Sequence, residues 1–248
     1  MKRRFFRNIL IGLAAVLVLA MLAGYALYQY YSPGTPVDPV LAGEAPTISL
    51  MDFSAPPSVD PVTKGWFHVK FLTKPAMQIS FVPKDGRDSL RCQTEKGGSI
   101  FGRFTDIDLA RFPMLDWGWL VELPVVSDTP EDSTAGDDHP ARFLLQFQDS
   151  SGGVHAIEII WSNGQYAKGE WKIIGSFHHY VAESANAKTA EKTNQWFDES
   201  VNLLDLYRIA TSRTDDARLK YISVFCDTDD TRTRSIAYFS NVTLRQAP

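Results

Sequence analysis

The chain has 248 residues, a formal net charge of −4 and 44% apolar residues, the composition of a folded globular protein and not of a disordered or collagen-like one. Two cysteines exclude a disulfide scaffold. Lys2, Arg3, Arg4 and Arg7 stand in residues 1–31 with no acid among them, so the −4 combines a +4 leader with a −8 remainder. An acidic remainder without clustered Lys and Arg argues against nucleic-acid binding.

Residues 1–8 read as a basic cytoplasmic N-terminus. Ile9 to Tyr28 is an unbroken run of apolar, small and aromatic residues. About 20 residues at 1.5 Å each cross a hydrocarbon core of roughly 30 Å, so 9–31 is expected to be a transmembrane signal-anchor helix. The basic cluster sets its cytoplasmic side, and Tyr25, Tyr28, Tyr30 and Tyr31 suit the far interface. A cleaved signal peptide is the alternative; under either reading the remainder of the chain is exported. Residues 32–46 hold four prolines and read as an extended linker. The domain is expected over 47–248.

The domain's dominant signal is alternation with period two. Thr47–Phe53 and Trp66–Phe71 open it. Met77, Ile79 and Phe81 alternate with polar neighbours, and Asp85-Gly86 marks a hairpin before Ser89–Thr94. Leu115, Trp117, Trp119, Val121 and Leu123 form a strict apolar stripe, which places both tryptophans in the core. Pro124–His139 carries five acids and no base, a solvated loop by composition. Arg142–Gln148, His155–Trp161, Trp171–Val181, Leu219–Thr228 and Arg234–Leu244 are further strands. Trp196–Ile209 reads as the single helix. Many short strands separated by turn residues predict an all-β β-sandwich or jelly roll with one short helix insertion.

Two acidic constellations flank strands: Gly136-Asp137-Asp138-His139-Pro140-Ala141-Arg142, and Cys226-Asp227-Thr228-Asp229-Asp230-Thr231. Asp137, Asp138 and Arg142 are candidate ligand contacts. Asp227, Asp229 and Asp230 are candidate Ca²⁺ ligands, Ca²⁺ being a cation that takes six to eight oxygens; turn-forming hydrogen bonds and salt bridges with Arg142, Arg232 or Arg234 are the competing use. Trp161 and Trp171 flank a polar loop that contains Tyr166, and a groove lined by these three flat rings could stack on a sugar. Glu122 and Glu158 are the candidate carboxylates of a glycosidase, although no Glu-x-Asp-x-x-Glu cluster is present. The histidines form no zinc-like spacing, and no nucleophile elbow, P-loop or dinucleotide fingerprint occurs. Cys92 and Cys226 fall in strands, either as one disulfide or as two buried thiols.

Leu115-Asp116-Trp117-Gly118-Trp119, Asp137-Asp138-His139-Pro140-Ala141-Arg142-Phe143, the run Tyr221–Thr231 and the closing Ala237–Val242 together resemble the bacterial domain-of-unknown-function family 3047, over about Ser54 to Leu244. Arg232 stands where such domains usually have Gly. The resemblance implies an exported bacterial protein with a sandwich-like fold and transfers no catalytic residue. The combined expectation is a single-pass inner-membrane protein with a periplasmic domain that binds a glycan or an envelope partner without catalysis. An enzyme acting on envelope polysaccharide and a structural or assembly protein are the alternatives.

Overall fold

The computed structural model describes residues 16–22, 33–175, 177–185 and 192–247. Residues 1–35 and 36–248 form separate units. In the first, 16–22 are helical. Most of the expected membrane span, 9–31, lies outside the described residues, and no helix among those described is long and apolar enough to cross a membrane.

The second unit is an all-β sandwich. Its strands are β1 (Val40–Leu41), β2 (Thr47–Met51), β3 (Trp66–Lys70), β4 (Gln78–Lys84), β5 (Arg87–Glu95), β6 (Gly98–Asp108), β7 (Met114–Leu123), β8 (Arg142–Asp149), β9 (Val154–Ser162), β10 (Trp171–Ile174), β11 (Phe177–Ser184), β12 (Phe197–Asn202), β13 (Ala217–Asp227) and β14 (Arg234–Arg245), with helix α1 at Leu203–Thr211. The larger sheet runs β1-β6-β13-β8-β9-β11-β10, with β3 also on β6; the smaller runs β12-β7-β14-β5-β4, with β2 also on β14.

Alternation explains the packing. Phe143, Leu145 and Phe147 of β8, Ile157, Ile159 and Trp161 of β9, and Ile222 and Val224 of β13 point from the larger sheet into one core. Leu115, Trp117, Trp119 and Val121 of β7, with Phe239 of β14, meet them from the smaller sheet. Trp119 lies 6.3 Å from Phe143, stacked, and 5.6 Å from Trp161, edge-on. These are offset and edge geometries that suit aromatic quadrupoles. The expected placement of Trp117 and Trp119 in the core therefore holds.

Turn chemistry also follows the sequence. Lys84 pairs with Arg87, leaving Asp85-Gly86 as a two-residue loop with φ of 51° and 79°, the left-handed pair that a type I′ hairpin requires.

Four local expectations change. Phe197–Asn202 is strand, not helix, because it pairs along β7 from Trp119 to Met114; the helix starts only after Asn202, whose side chain accepts from the backbone N–H of Leu204 and Asp205 as an N-cap. Trp171–Val181 is a hairpin of two strands, β10 and β11. Val40–Leu41, expected in the linker, pairs in parallel with β6. Strand β6 itself was not expected. Its glycines and near-continuous burial on both faces give no alternation to read.

Candidate functional site

Parity along the strands separates two faces of the larger sheet. Where Phe143 points inward, Arg142 and Leu144 point outward; where Ile157 and Ile159 point inward, Glu158 points outward. Leu144 pairs with Glu158, Glu158 with His179, and His179 with Lys172, so β8, β9, β11 and β10 set these side chains in one lateral row. Polar outer residues of a sheet are ordinarily solvated, yet Arg142, Glu158, His179 and Lys172 are all buried.

The acidic loop covers them. Composition made Pro124–His139 a solvated segment; instead Glu131, Asp138 and His139 are buried, because each finds a partner that offsets lost hydration. The Glu131 carboxylate accepts from Ser162 Oγ at 3.0 Å and from the N–H of Asn163 at 3.1 Å. Asp138 accepts from the Thr231 N–H at 2.6 Å and Oγ1 at 2.5 Å, tying the loop to the turn after β13. In that turn Arg232 adopts φ 56°, a left-handed conformation that favours glycine.

Arg142 is the hub. Its guanidinium donates to Glu158 Oε2 at 2.7 Å, to Asp227 Oδ1 at 2.5 Å and to the Asp137 carbonyl at 2.9 Å. Its plane lies 4.3 Å from the Phe225 ring centroid, a cation–π distance. Lys172 Nζ donates to Asp137 Oδ1 at 2.6 Å and meets His139 Nε2 at 2.9 Å. Since an ammonium can only donate, His139 Nε2 accepts, and Nδ1–H donates to the Trp161 carbonyl at 3.1 Å. His139 is thus the neutral Nδ1–H tautomer. His179 Nε2 lies 3.0 Å from Glu158 Oε2 without the alignment of a hydrogen bond.

The titrations follow from these contacts. Burial and then the Lys172 charge hold the His139 imidazolium down to a pKa of about 3. Burial pushes Glu158 up, but the Arg142 guanidinium beside it outweighs this and brings the group to about 2. Asp137 is likewise held far below the usual range against its burial, by the charges of Arg142 and Lys172. Asp227 moves the other way, to about 8: its burial, with Asp138 and Glu158 adding repulsion, outweighs Arg142.

The structure brings Asp137, Asp138, Arg142, Glu158 and Asp227 into one neighbourhood. Asp138, Asp227 and Asp229 each offer an oxygen within 4.8 Å of the others, a set in which Asp138 replaces the expected Asp230. Asp230 instead donates its backbone N–H to Asp138. Two of the three carboxylates already face cations of the chain, Asp227 with Arg142 and Asp229 with Lys74 at 2.5 Å.

The other candidates separate. Trp161 is fully buried between Trp119 and Phe197, so it presents no face to a sugar and the expected Trp161–Tyr166–Trp171 groove does not form. Its parity with Ile157 and Ile159 is the sequence signal for that. Trp171 is half-buried and edge-on to Tyr180 at 5.5 Å; Tyr166 is half-buried in its loop. Glu122 sits on the outer face of the smaller sheet, bound to Lys84 at 3.0 Å and Tyr238 Oη at 2.8 Å. Glu122 and Glu158 therefore lie on opposite outer faces and cannot flank one bond. His179, Lys172 and Glu131 were not among the sequence candidates.

A second feature shares the outer face of the larger sheet. Phe67, Val69, Phe104, Leu144 and Tyr221 form a separate apolar cluster, with Phe71, Ile100 and Ala156 against it. Phe67 meets Phe104 at 4.9 Å and Tyr221 at 5.3 Å, and its ring crosses Gly102, where a Cβ would stand 2.7 Å from it. Burial and the charge of Glu158 raise the Tyr221 phenol to about 12. The half-buried Phe71 and Phe225 lie 6.2 Å apart at the junction of the aromatic and charged zones.

A β-sandwich with a charged row and an aromatic cluster on one outer face is the class that fold and site define. The chain belongs to the family described as a protein of unknown function, DUF3047, whose model matches residues 64–243. No curated protein matches the chain. Among solved structures it is similar to the family 11 carbohydrate-binding module of cellulosomal cellulase Lic26A-Cel5E of Clostridium thermocellum, at 9% identity and a TM-score of 0.43, covering 83% of this chain and 97% of that one. It is also similar to the xyloglucanase domain of NopAA, a type three effector from Sinorhizobium fredii in complex with cellobiose, at 12% identity and a TM-score of 0.41, covering 83% and 100%. The family 30 carbohydrate-binding module of a cellulosomal cellulase of Clostridium thermocellum matches at 10% and 0.41, covering 81% and 97%. At these scores no shared ligand is implied.

Proposed function

We propose that this chain is an exported glycan-binding β-sandwich, held at the inner membrane by residues 9–31, and that the outer face of the larger sheet is its binding face. The observation that carries the reading is the aromatic cluster on that face. Every member belongs to the larger sheet, except Phe71, which directly follows β3. An antiparallel sheet face turned away from its partner layer ordinarily carries polar residues. Here it carries Phe67, Phe104 and Tyr221, buried against one another, and they support the half-buried Phe71 and Phe225, the two rings that keep exposed surface for a ligand. Aromatic faces match the C–H faces of sugar rings, while a few fixed polar groups set orientation. Arg142 on Phe225 and Lys74 over Phe71, at 4.7 Å, place charged groups at the platform's edge. Glu122 and Glu158 do not converge, so this reading assigns the face a binding role and gives that pair no catalytic one.

The full chain, screened on a glycan array and titrated with the polysaccharides that score, tests this. Phe225→Ala and Phe71→Ala should each weaken binding at least tenfold while circular dichroism stays unchanged. Binding that survives both changes and disappears with Trp171→Ala would overturn the assigned face, and no glycan binding at all would overturn the function.

A further inference from the structure

We infer that one end of the smaller sheet carries a second site, a pocket for the carboxylate of an acidic sugar. Strands β5, β14 and β7 lie side by side there: Arg234 pairs with Glu95, and Ile236 with Leu123. The β5–β6 turn, the β13–β14 turn and the start of the acidic loop border a cavity of about 350 Å³. Lys96, Arg232 and Arg234 line it. All three are exposed, and among the described residues none of their side chains forms an ion pair or a hydrogen bond. The nearby Lys74 and Arg142, in contrast, are each held by a carboxylate. Glu95 is the one acid in the lining.

The backbone adds a separate observation. Lys96 has φ 50° and Arg232 φ 56°, left-handed conformations that glycine holds without a Cβ penalty. Each turn therefore keeps a long cationic side chain where conformation alone favours the smallest residue. Such strain beside a concave site points to function. The lining selects the ligand. Two guanidiniums offer planar forks that match a carboxylate, and Lys96 adds a point charge. Leu123, Pro124 and Val126, the last 60% exposed, give an apolar wall for the C–H face of a ring. A uronate residue combines the two features. An anionic bilayer fits less well, because the chain beyond residue 31 carries −8 and the three cations border a recess. That a sugar carries the anion rests on the proposed glycan binding; the anion pocket does not.

Calorimetric titration of the full chain in neutral detergent tests this with three probes: tri-galacturonate, its methyl ester, and glycerol phosphate as a soluble lipid headgroup. The ester keeps the rings and removes the charge. Tri-galacturonate is expected to bind at least about tenfold more tightly than the ester, and to lose that advantage as salt rises from about 0.05 to 1 M. Lys96→Gly and Arg232→Gly relieve the backbone, so Tm should stay within about 4 °C. Each should weaken tri-galacturonate about threefold to fivefold, and Arg232→Gly combined with Arg234→Gln at least about tenfold. No difference between acid and ester, or a difference unchanged in the double variant, would overturn the pocket. Loss of the difference in Phe225→Ala would assign the anion to the aromatic face and overturn it too. Tighter binding of glycerol phosphate than of tri-galacturonate would overturn the sugar acid. An array on which neutral glycans fail while the acid–ester difference persists would sink the aromatic face alone.

Discussion

The two sheets show their outer faces to different surroundings, and each carries one of the carboxylates that the sequence offered as catalytic. On the smaller sheet the charges are paired locally and half-exposed. Glu122 meets Lys84 with side chains 32% and 24% exposed, Arg87 meets Asp198, and Arg245 meets Asp116 at 2.6 Å. On the larger sheet the Arg142 and Glu158 side chains are 2% and 5% exposed, and one guanidinium serves three acceptors. The same chemistry has different worth in the two places. Water and salt screen the first set, so each pair contributes little. The second has lost its water, so attraction and the cost of an unpaired member are both large. A loop that crosses one face and not the other makes the difference.

The largest test of that contrast removes the hub. Arg142→Met leaves Glu158 and Asp227 buried without their cation, and should cost about 3–5 kcal/mol in urea unfolding. Adding Glu158→Met and Asp227→Leu to it should recover most of the loss, because an apolar set of similar volume needs no counter-charge. A loss below about 1 kcal/mol for Arg142→Met would mean that the network is not what holds the loop.

The next test is acid. His139 is kept neutral in the fold, with a pKa of about 3 against an ordinary 6.5. A depressed value means that its contribution is complete above pH 6.5 and is lost as pH falls toward 3. Glu158, near 2, adds a loss on the same side, between about 4.5 and 2. Asp227 is raised, so its own contribution runs oppositely, present at low pH and lost as pH rises toward 8. His139→Gln keeps an acceptor for Lys172 but does not titrate. The stability gap between wild type and this variant should therefore shrink below pH 6.5, by about 1.4 kcal/mol per pH unit. A gap constant from about pH 7 to 4 would show that the imidazole is protonated in the fold.

Much of this architecture was legible, and the exceptions have physical causes. The stripe Leu115–Leu123 announced β7 because only one of its faces is buried in the core, and Asp85-Gly86 announced its hairpin because positive φ is demanded there. β6 has near-continuous burial on both faces and was invisible to a period-two search. Asn202 was the overlooked stop sign between β12 and α1. At the site, Asp137, Asp138, Arg142 and Asp227 stood out because turn-forming acids flank strands. Lys172 and His179 did not. Only the pairing of β9, β11 and β10 brings them beside Glu158, from positions that share no sequence motif. A lysine between Trp171 and Ile173 was the available hint, since a buried charge in an apolar strand needs a partner.

Two glycines give a smaller version of the comparison. A Cβ at Gly102, on the larger sheet, would stand 2.4 Å from Ser223 Cβ and 2.7 Å from both the Ile222 carbonyl oxygen and the Phe67 ring. At Gly118, on the smaller sheet, it would meet only side-chain ends within 3.4 Å, Arg87 Nη1 at 2.8 Å and Asp198 Oδ1 at 3.1 Å. Gly102→Ala should cost about 1–3 kcal/mol as an overpacked site, and weaken glycan binding by moving Phe67. Gly118→Ala should cost under about 1 kcal/mol, since a flexible pair swings aside. Equal losses in chemical denaturation would remove the distinction between a packed and a solvated outer face.

The smallest effect is expected at Glu122. Its carboxylate lies below the ordinary range because Lys84 and Tyr238 hydrogen-bond to the charged form, outweighing partial burial. Glu122→Gln keeps an acceptor for Tyr238 and loses only the ion pair with Lys84. The cost should be about 0.2–1 kcal/mol and should fade between about 0.05 and 1 M salt, where the Debye length contracts to about 3 Å. Glu158→Gln is the matched change on the other face. It leaves Arg142 one charged partner short, and its cost should exceed that of Glu122→Gln severalfold and persist in salt, because screening ions do not enter a buried network. The salt response of these two variants separates position from chemistry. Both replace a strand glutamate by its amide, and both remove one partner of a cation. If Glu158→Gln faded with salt as Glu122→Gln does, the charged row beneath the loop would have to be open to water, and the covering role assigned to Pro124–His139 would fail with it.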